Sequence, residues 1–229
     1  FSTKSLQNNK KFIDLRPLIK LDSMKATMKT LSAILICCFI STIQMYGENI
    51  QRPESENYVK GVEALNEGNP EAAYTYLNAE INEHPDNGYA HCYMALICNF
   101  CNDTKLALQA LNSSLELIPE ADTEYRSFAH YSRGVLLTNL KMWERAEADL
   151  NEAIRLNPED VENYKSRAQL YFETERYEES LDDLTRALKL DSKADVNDLV
   201  LQLMAVAPTS EFMERITATY QQLDQVTIH

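Results

Sequence analysis

Hydrophobic residues recur at intervals of three and four positions through most of the chain from residue 54 onward. The clearest runs are Leu106, Ala107, Ala110 and Leu111, then Ala146, Leu150, Ala153 and Ile154, then Leu181, Leu184 and Leu188. This spacing places apolar side chains on one face of an α-helix. Glycine is scarce, at 5 residues in 229, and a sheet protein of this length normally needs more turn glycines. The pattern therefore predicts an all-α chain of amphipathic helices.

Short polar segments interrupt this pattern and predict where helices begin. Asn69-Pro70 puts a proline at the first helical position, where its missing N–H is not needed. Asn102 and Asp103 can accept hydrogen bonds from the free N–H groups of the next helix. Asn157-Pro158 closes one pair of helices and opens the next. We therefore expect pairs of helices joined by short loops.

The same arrangement returns at a nearly fixed period. Pro85 and Pro119 are 34 residues apart, Pro158 follows after 39, and Ser192 comes 34 residues later. In this register a small residue recurs in the first helix at Gly61, Ala95, Gly134 and Ala168. A second small residue recurs at Ala73, Ala107, Ala146 and Ser180, and a leucine follows it at Leu77, Leu111, Leu150 and Leu184. Small side chains are needed where two helices cross at about 8–10 Å, so each period predicts one helical hairpin.

These residues resemble the tetratricopeptide repeat (TPR), a helical hairpin with a 34-residue period. The resemblance covers residues 54–192, and the repeats are 54–87, 88–121, 127–160 and 161–194. It implies a right-handed α-solenoid, or α-α superhelix. At one further position the resemblance predicts alanine, but the first two repeats hold Glu80 and Ser114 there. The five extra residues within 120–126 are predicted to extend a helix or lengthen a loop. Residues 195–229 predict two capping helices, and a continuation beyond them is left open.

The resemblance also implies a function. TPR proteins bind other proteins or peptides in a concave groove lined by the first helix of each hairpin, and they catalyse nothing themselves. Lys165 is the sole basic residue among the groove positions, so a clamp for a terminal carboxylate is not expected. For any single tyrosine, packing between neighbouring repeats is the alternative. The predicted contact residues are Tyr58, Leu65, Tyr89, Leu96, Asn99, Phe128, Tyr131, Asn139 and Lys165.

Other functions have weaker support in the sequence. Cys98-x-x-Cys101 has the spacing of a redox pair, but it falls near the end of a helix, where no dipole lowers a thiol pKa. The histidines and cysteines of residues 84–101 lack a second metal-binding pair, and no phosphate loop or metalloprotease motif is present, so we predict no metal or cofactor. A weak redox role, or a docking segment of a larger enzyme continuing beyond His229, remains the alternative to a binding protein.

Charge and the N-terminal segment predict where the protein works. Residues 1–47 hold 7 of the 22 basic and 2 of the 35 acidic residues, leaving 15 basic and 33 acidic residues and a net charge of −18. Such a body repels nucleic acid. Residues 28–47 resemble a secretory signal peptide, with an uncleaved membrane anchor as the alternative, and residues 1–27 are interpreted as an upstream extension. We therefore expect an exported protein, periplasmic or secreted.

Overall fold

The computed structural model describes residues 50–206 and 209–226, with side chains up to residue 219. All the regular structure in these ranges is helical, which confirms the predicted fold class. The interpretations placed on residues 1–49 lie outside the described residues. The helices are α1 (Glu56–Asn66), α2 (Pro70–Glu83), α3 (Gly88–Phe100), α4 (Thr104–Leu117), α5 (Thr123–Asn139), α6 (Trp143–Leu156), α7 (Val161–Glu173), α8 (Tyr177–Leu190), α9 (Asn197–Val206) and α10 (Ser210–Val226).

The first eight helices form four hairpins that stack on one another. Within a hairpin the two helices pack along their lengths, and the second helix of each hairpin contacts the first helix of the next. The helix starts use the predicted chemistry: Asn69 accepts a hydrogen bond from the Ala72 N–H, and Asp103 from the Leu106 N–H. Asn102 is not the cap but occupies the left-handed loop position before it, with φ 59°. The result is an all-α solenoid.

The predicted small residues lie where the helices cross. Ala95 and Ala168 are 2% and 0% exposed, and Gly61 and Gly134 are also buried. A Cβ added to Gly134 would stand 2.8 Å from Leu150 Cγ, which is closer than carbon atoms pack. The predicted small residue of the first helix is therefore buried in all four hairpins. Glu80 and Ser114, which depart from the repeat pattern, are buried at 1% and 0%, so their positions face the core even though the residues are polar.

The five-residue insertion extends α5. This helix has 17 residues, whereas the first helices α1, α3 and α7 have 11, 13 and 13. Asp122 caps the extra turn by accepting a hydrogen bond from the Tyr125 N–H at 3.2 Å. Asp122 lies at the start of this extra turn, and Glu124 and Tyr125 lie within it.

Within each of the third and fourth hairpins, a partly buried ion pair joins the two helices. Arg133 binds both carboxylate oxygens of Asp149, and Arg167 does the same with Asp183, at 2.7–2.8 Å. Burial opposes ionisation of Asp149, but hydrogen bonds from Arg133 and His130 outweigh it and lower the pKa of Asp149. Burial prevails at Asp183, which has no histidine partner, and raises its pKa despite Arg167. Asp183 lacks a third hydrogen-bond donor and also lies near the like charge of Asp182, and both differences favour its protonated form.

Arg167→Ala is expected to lower the free energy of unfolding by about 2 kcal/mol at neutral pH, because it leaves a buried carboxylate without its cation. An acid whose pKa is higher in the folded than in the unfolded chain stabilises the fold below its unfolded-chain pKa. This stabilisation is lost as the pH rises through its folded-chain pKa. The cost should therefore shrink as the pH falls and Asp183 takes up a proton. Urea unfolding at pH 7 and pH 4 measures both effects. Lys189→Ala, an exposed change on the neighbouring helix, is the control. Equal costs of Arg167→Ala at the two pH values would contradict the raised pKa of Asp183.

Helices α9 and α10 cover the end of the stack. Val196, Leu199, Val200 and Leu203 are buried in one cluster with the leucines of α8. Phe212 and Ile216 of α10 join the same cluster at 1% and 0% exposure. The apolar face of the last hairpin is thus removed from water, as a solenoid end requires.

Candidate functional site

The candidate site lies on the first helices of the hairpins. Helix α3 contacts α5 directly, and α5 contacts α7, so these helices form a continuous row. In a stack of helical hairpins the first helices line the concave side. We call the solvent-facing surface of α1, α3, α5 and α7 the inner face.

Half-buried apolar side chains run along the inner face. Leu96 on α3 and Phe128 on α5 each pack against the core while keeping part of their surface in solvent. Tyr131 stacks on Phe128, with ring centroids 6.3 Å apart and an angle of 26° between the rings. These side chains provide apolar contact area without being fully buried, as protein interfaces do.

Polar side chains border this apolar surface. Asn99 and Asn139 are exposed at the ends of α3 and α5, where an amide can donate and accept hydrogen bonds with a peptide backbone. Lys165 is half-buried, and its Nζ lies 2.8 Å from Glu162 Oε1. Burial and the nearby Glu162 raise the pKa of Tyr131 to about 12, so its hydroxyl stays protonated at neutral pH. The six residues named on this surface can all be reached from solvent.

Three predicted contact residues are not accessible. Tyr58, Leu65 and Tyr89 are only 7%, 4% and 5% exposed, so they offer little surface to a ligand while Arg52 and the neighbouring side chains stay in place. Direct contact with a ligand stays a prediction for these three residues, and they are left out of the accessible surface. Helical spacing assigned them correctly to the first helices, but their side chains pack into the core cluster that the neighbouring hairpins share.

Two of the buried tyrosines belong to a cluster that the repeat register did not reveal. Tyr58 packs against Tyr93 with centroids 6.1 Å apart, and the Tyr93 and Tyr125 hydroxyls are 3.0 Å apart. The rings of Tyr89 and Tyr125 pack edge to face, with their centroids 4.8 Å apart. The Tyr89 hydroxyl donates a hydrogen bond to Asp122 Oδ2 at 2.9 Å. The extra turn of α5 supplies both Asp122 and Tyr125, so the insertion completes this tyrosine cluster.

Arg52 lies over the tyrosine cluster. Its guanidinium carbon is 4.6 Å from the centre of the Tyr125 ring. Arg52 Nε and Nη2 bind the two oxygens of Asp122 at 3.1 and 3.2 Å, and Nη2 also binds Glu124 Oε2 at 2.9 Å. Burial alone would lower the pKa of Arg52, but these hydrogen bonds raise it. Burial beside Asp122 raises the pKa of Tyr89, so its hydroxyl remains a donor. One guanidinium thus faces two carboxylates, and hydrogen bonds hold all three groups in position.

A small open pocket lies at the other end of the inner face, between α7 and the capping helix α9. Its volume is about 180 Å³, enough for a side chain but not for a large cofactor. Lys165 and Gln169 line it on one side and Asp195, Asp198 and Gln202 on the other, above Leu184, Val196 and Leu199.

The cysteines lack the surroundings of a redox pair. Cys98 is fully buried, and Cys101 is the half-buried residue at the end of α3, where the helix dipole disfavours a thiolate. Burial, together with Asp103, raises the pKa of Cys98 to about 12, and it also raises the pKa of Cys101. Both groups are therefore protonated at neutral pH and poor nucleophiles.

Two further features of the described residues bear on function. Nowhere in residues 50–206 or 209–226 do three His, Cys, Asp or Glu side chains come together as metal ligands would. Within the same ranges, no helix combines the length and the hydrophobicity needed to cross a membrane.

Comparison with known proteins finds two tetratricopeptide repeats in this chain. Residues 127–160 match one tetratricopeptide-repeat model and residues 162–193 match another. Tetratricopeptide repeat protein 6 of Homo sapiens is 25% identical over 143 residues, which are 62% of this chain and 26% of that protein. A protein named lipoprotein NlpI homolog, from Haemophilus influenzae, is 31% identical over 87 residues, 38% of this chain and 28% of that protein. The matches thus span only about a quarter of these relatives.

A solved structure shows the same fold. The structure described as MamA 41-end from Desulfovibrio magneticus RS-1 superposes with a TM-score of 0.60 over 74% of this chain and 94% of its own. The two sequences are 19% identical, so the likeness concerns the fold alone.

Proposed function

Because the chain is a tetratricopeptide-repeat protein, we propose that it is an adaptor that binds an extended segment of a partner protein along its inner face. The contacts assigned to the partner are Leu96, Asn99, Phe128, Tyr131, Asn139 and Lys165. The stacked Phe128 and Tyr131 carry the proposal, since they keep apolar surface in solvent between two exposed amides. Its role is binding, without a catalytic step.

The surface chemistry supports an extended ligand. An extended peptide needs partners for its backbone N–H and C=O groups and pockets for alternate side chains. Asn99 and Asn139 offer hydrogen-bond partners for the peptide backbone. The pocket of about 180 Å³ between α7 and α9 offers space for a side chain. The half-buried aromatic rings between them supply contact area at small entropic cost, because a tyrosine has few rotatable bonds.

We further propose that the adaptor works outside the cytoplasm. Residues 28–47 have the basic start and apolar run of a signal peptide. The relative from Haemophilus influenzae bears the name of a lipoprotein, which supports export without identifying a partner.

Tyr131→Ala combined with Asn99→Ala is expected to weaken partner capture at least tenfold, because contact residues of this kind contribute about 1–2 kcal/mol each to binding. Full-length protein is used as bait for the envelope fraction of the source organism, and the affinity of each retained partner is then measured by interferometry.

The matched control is Tyr76→Ala with Asn82→Ala. This pair removes the same two residue types from α2, a second helix, where Tyr76 is half-buried and Asn82 is exposed. A partner lost with the inner-face pair and retained with the α2 pair supports the proposal. Equal loss, or no loss, with both pairs contradicts it, and circular dichroism checks that each variant remains helical.

A further inference from the structure

We propose that Asp122, Glu124, Tyr89 and Tyr125 form a binding site for an arginine side chain carried on an extended peptide. The chain's own Arg52 fills this site until an arginine of a partner replaces it. The proposal rests on the adaptor function, and it names the chemistry that a partner must present at one end of the inner face.

The site has the features that a guanidinium requires. Two carboxylates accept three hydrogen bonds from Arg52, and a tyrosine ring lies under the guanidinium plane at 4.6 Å. A flat cation with several fixed donors can bridge Asp122 and Glu124 while it stacks on Tyr125. A lysine ammonium is a single point that cannot do all three, so the site is specific for arginine.

Asp122 and Tyr125 are also held by hydrogen bonds that do not involve Arg52. Asp122 is 1% exposed and is held by the Tyr125 N–H at the helix start and by the Tyr89 hydroxyl. Tyr125 is held in turn by the Tyr93 hydroxyl. If Arg52 leaves, a formed site with two carboxylates remains, and its buried charge favours the entry of another cation.

The segment that carries Arg52 is attached to the stack in the way that a bound peptide would be. Residues 50–55 lie outside any helix, and Arg52 reaches a residue 70 positions away in the sequence. Its side chain keeps 25% of its surface exposed, which leaves a path for exchange with solvent. Residues 50–54 precede Ser55, the cap residue of α1, so their detachment breaks no helix and the site can open while the stack remains folded.

The site is continuous with the inner face. Phe128 lies three residues after Tyr125 and four after Glu124 on α5, so the three side chains share one side of that helix. A peptide that places its arginine in the site can therefore continue along Phe128 and Tyr131. The net charge of −18 for residues 48–229 attracts a basic segment and repels an acidic one.

Because a short chain segment links Arg52 to α1, Arg52 competes with any external arginine. It therefore sets a minimum affinity that a partner must have to enter the site. A short flexible link holds a ligand at an effective concentration in the millimolar range, so a lone arginine in solution displaces it poorly. A partner that also contacts the inner face gains additional binding energy there, so its arginine can displace Arg52. Removing Arg52 should therefore raise the affinity of the site for an external arginine.

The test measures peptide binding to the full chain with Arg52→Ala. The probe is a synthetic peptide with the sequence of residues 50–55, Ile-Gln-Arg-Pro-Glu-Ser, blocked at both ends, and its partner probe has glutamine in place of arginine. Titration followed by NMR should saturate below ~10 mM for Arg52→Ala, a weak affinity that suits one charged side chain. Wild-type protein should bind the peptide at least about tenfold more weakly, because its site is filled.

Asp122→Asn added to Arg52→Ala keeps the helix cap, since asparagine caps as well as aspartate, and removes the buried charge. This double variant should lose at least about tenfold in peptide affinity. Glu120→Gln, an exposed change just before α5, is the control and should leave binding unchanged.

The following results would overturn the proposal: equal binding to wild type and Arg52→Ala, equal binding of the glutamine peptide, or no saturation by ~10 mM. The adaptor function is judged separately by the Tyr131 and Asn99 variants. If those still lose a partner while Arg52→Ala binds no peptide, the adaptor stands and the arginine site is wrong. If the peptide binds as expected while Tyr131 and Asn99 prove dispensable, the arginine site stands and the inner-face assignment is wrong.

Discussion

Replacing Phe212 with alanine should lower the free energy of unfolding by about 3–5 kcal/mol, the largest effect expected from one substitution in this chain. Phe212 is 1% exposed and lies in the cluster that joins α10 to α8 and α9. Its removal leaves a cavity and weakens the cover over the last hairpin. Each hairpin of a solenoid is stabilised by its neighbours, so the fourth hairpin should loosen first.

Urea unfolding followed by circular dichroism measures this effect, and hydrogen exchange locates it. Amides of α8 should lose protection before amides of α3 and α4 in the Phe212→Ala protein. Glu214→Ala, an exposed change on the same helix, should cost less than about 0.5 kcal/mol. A loss below 1 kcal/mol for Phe212→Ala, or uniform loss of protection, would show that α10 does not act as a cap.

Gly134→Val should cost roughly 3 kcal/mol, because its side chain would occupy space already filled by Leu150. A Cβ at this position stands 2.8 Å from Leu150 Cγ and 3.0 Å from Leu150 Cδ2, and Leu150 is completely buried. A branched side chain makes the clash worse, since its rotamers are restricted within a helix. The third hairpin should open at the crossing of α5 and α6.

The clash also predicts a rescue. Leu150→Ala alone should cost about 3 kcal/mol through the cavity it leaves. Gly134→Val with Leu150→Ala should cost at least 1 kcal/mol less than the sum of the two single changes, because the valine fills part of that cavity. Thermal and urea unfolding of the four proteins gives the coupling energy. Ala148→Val, an exposed change on α6, is the control; simple additivity would mean that Gly134 and Leu150 do not share one space.

The inner face could be predicted from the sequence only in part. The repeat register assigned all nine predicted contact residues to first helices, and six of them can be reached from solvent. Tyr58, Leu65 and Tyr89 are covered instead. Periodicity identifies the side of a helix on which a residue lies, but it does not say what packs over that side.

The sequence by itself determined the hairpins, their period and the places where small residues let two helices meet. These features follow from spacings of a few residues along one helix, or of one repeat, and each position carries its own requirement for size. Only the tertiary structure decided that the insertion extends α5, and that Arg52 reaches Asp122 across 70 residues. A contact between segments so far apart depends on how the hairpins stack, and no local pattern in the sequence encodes it.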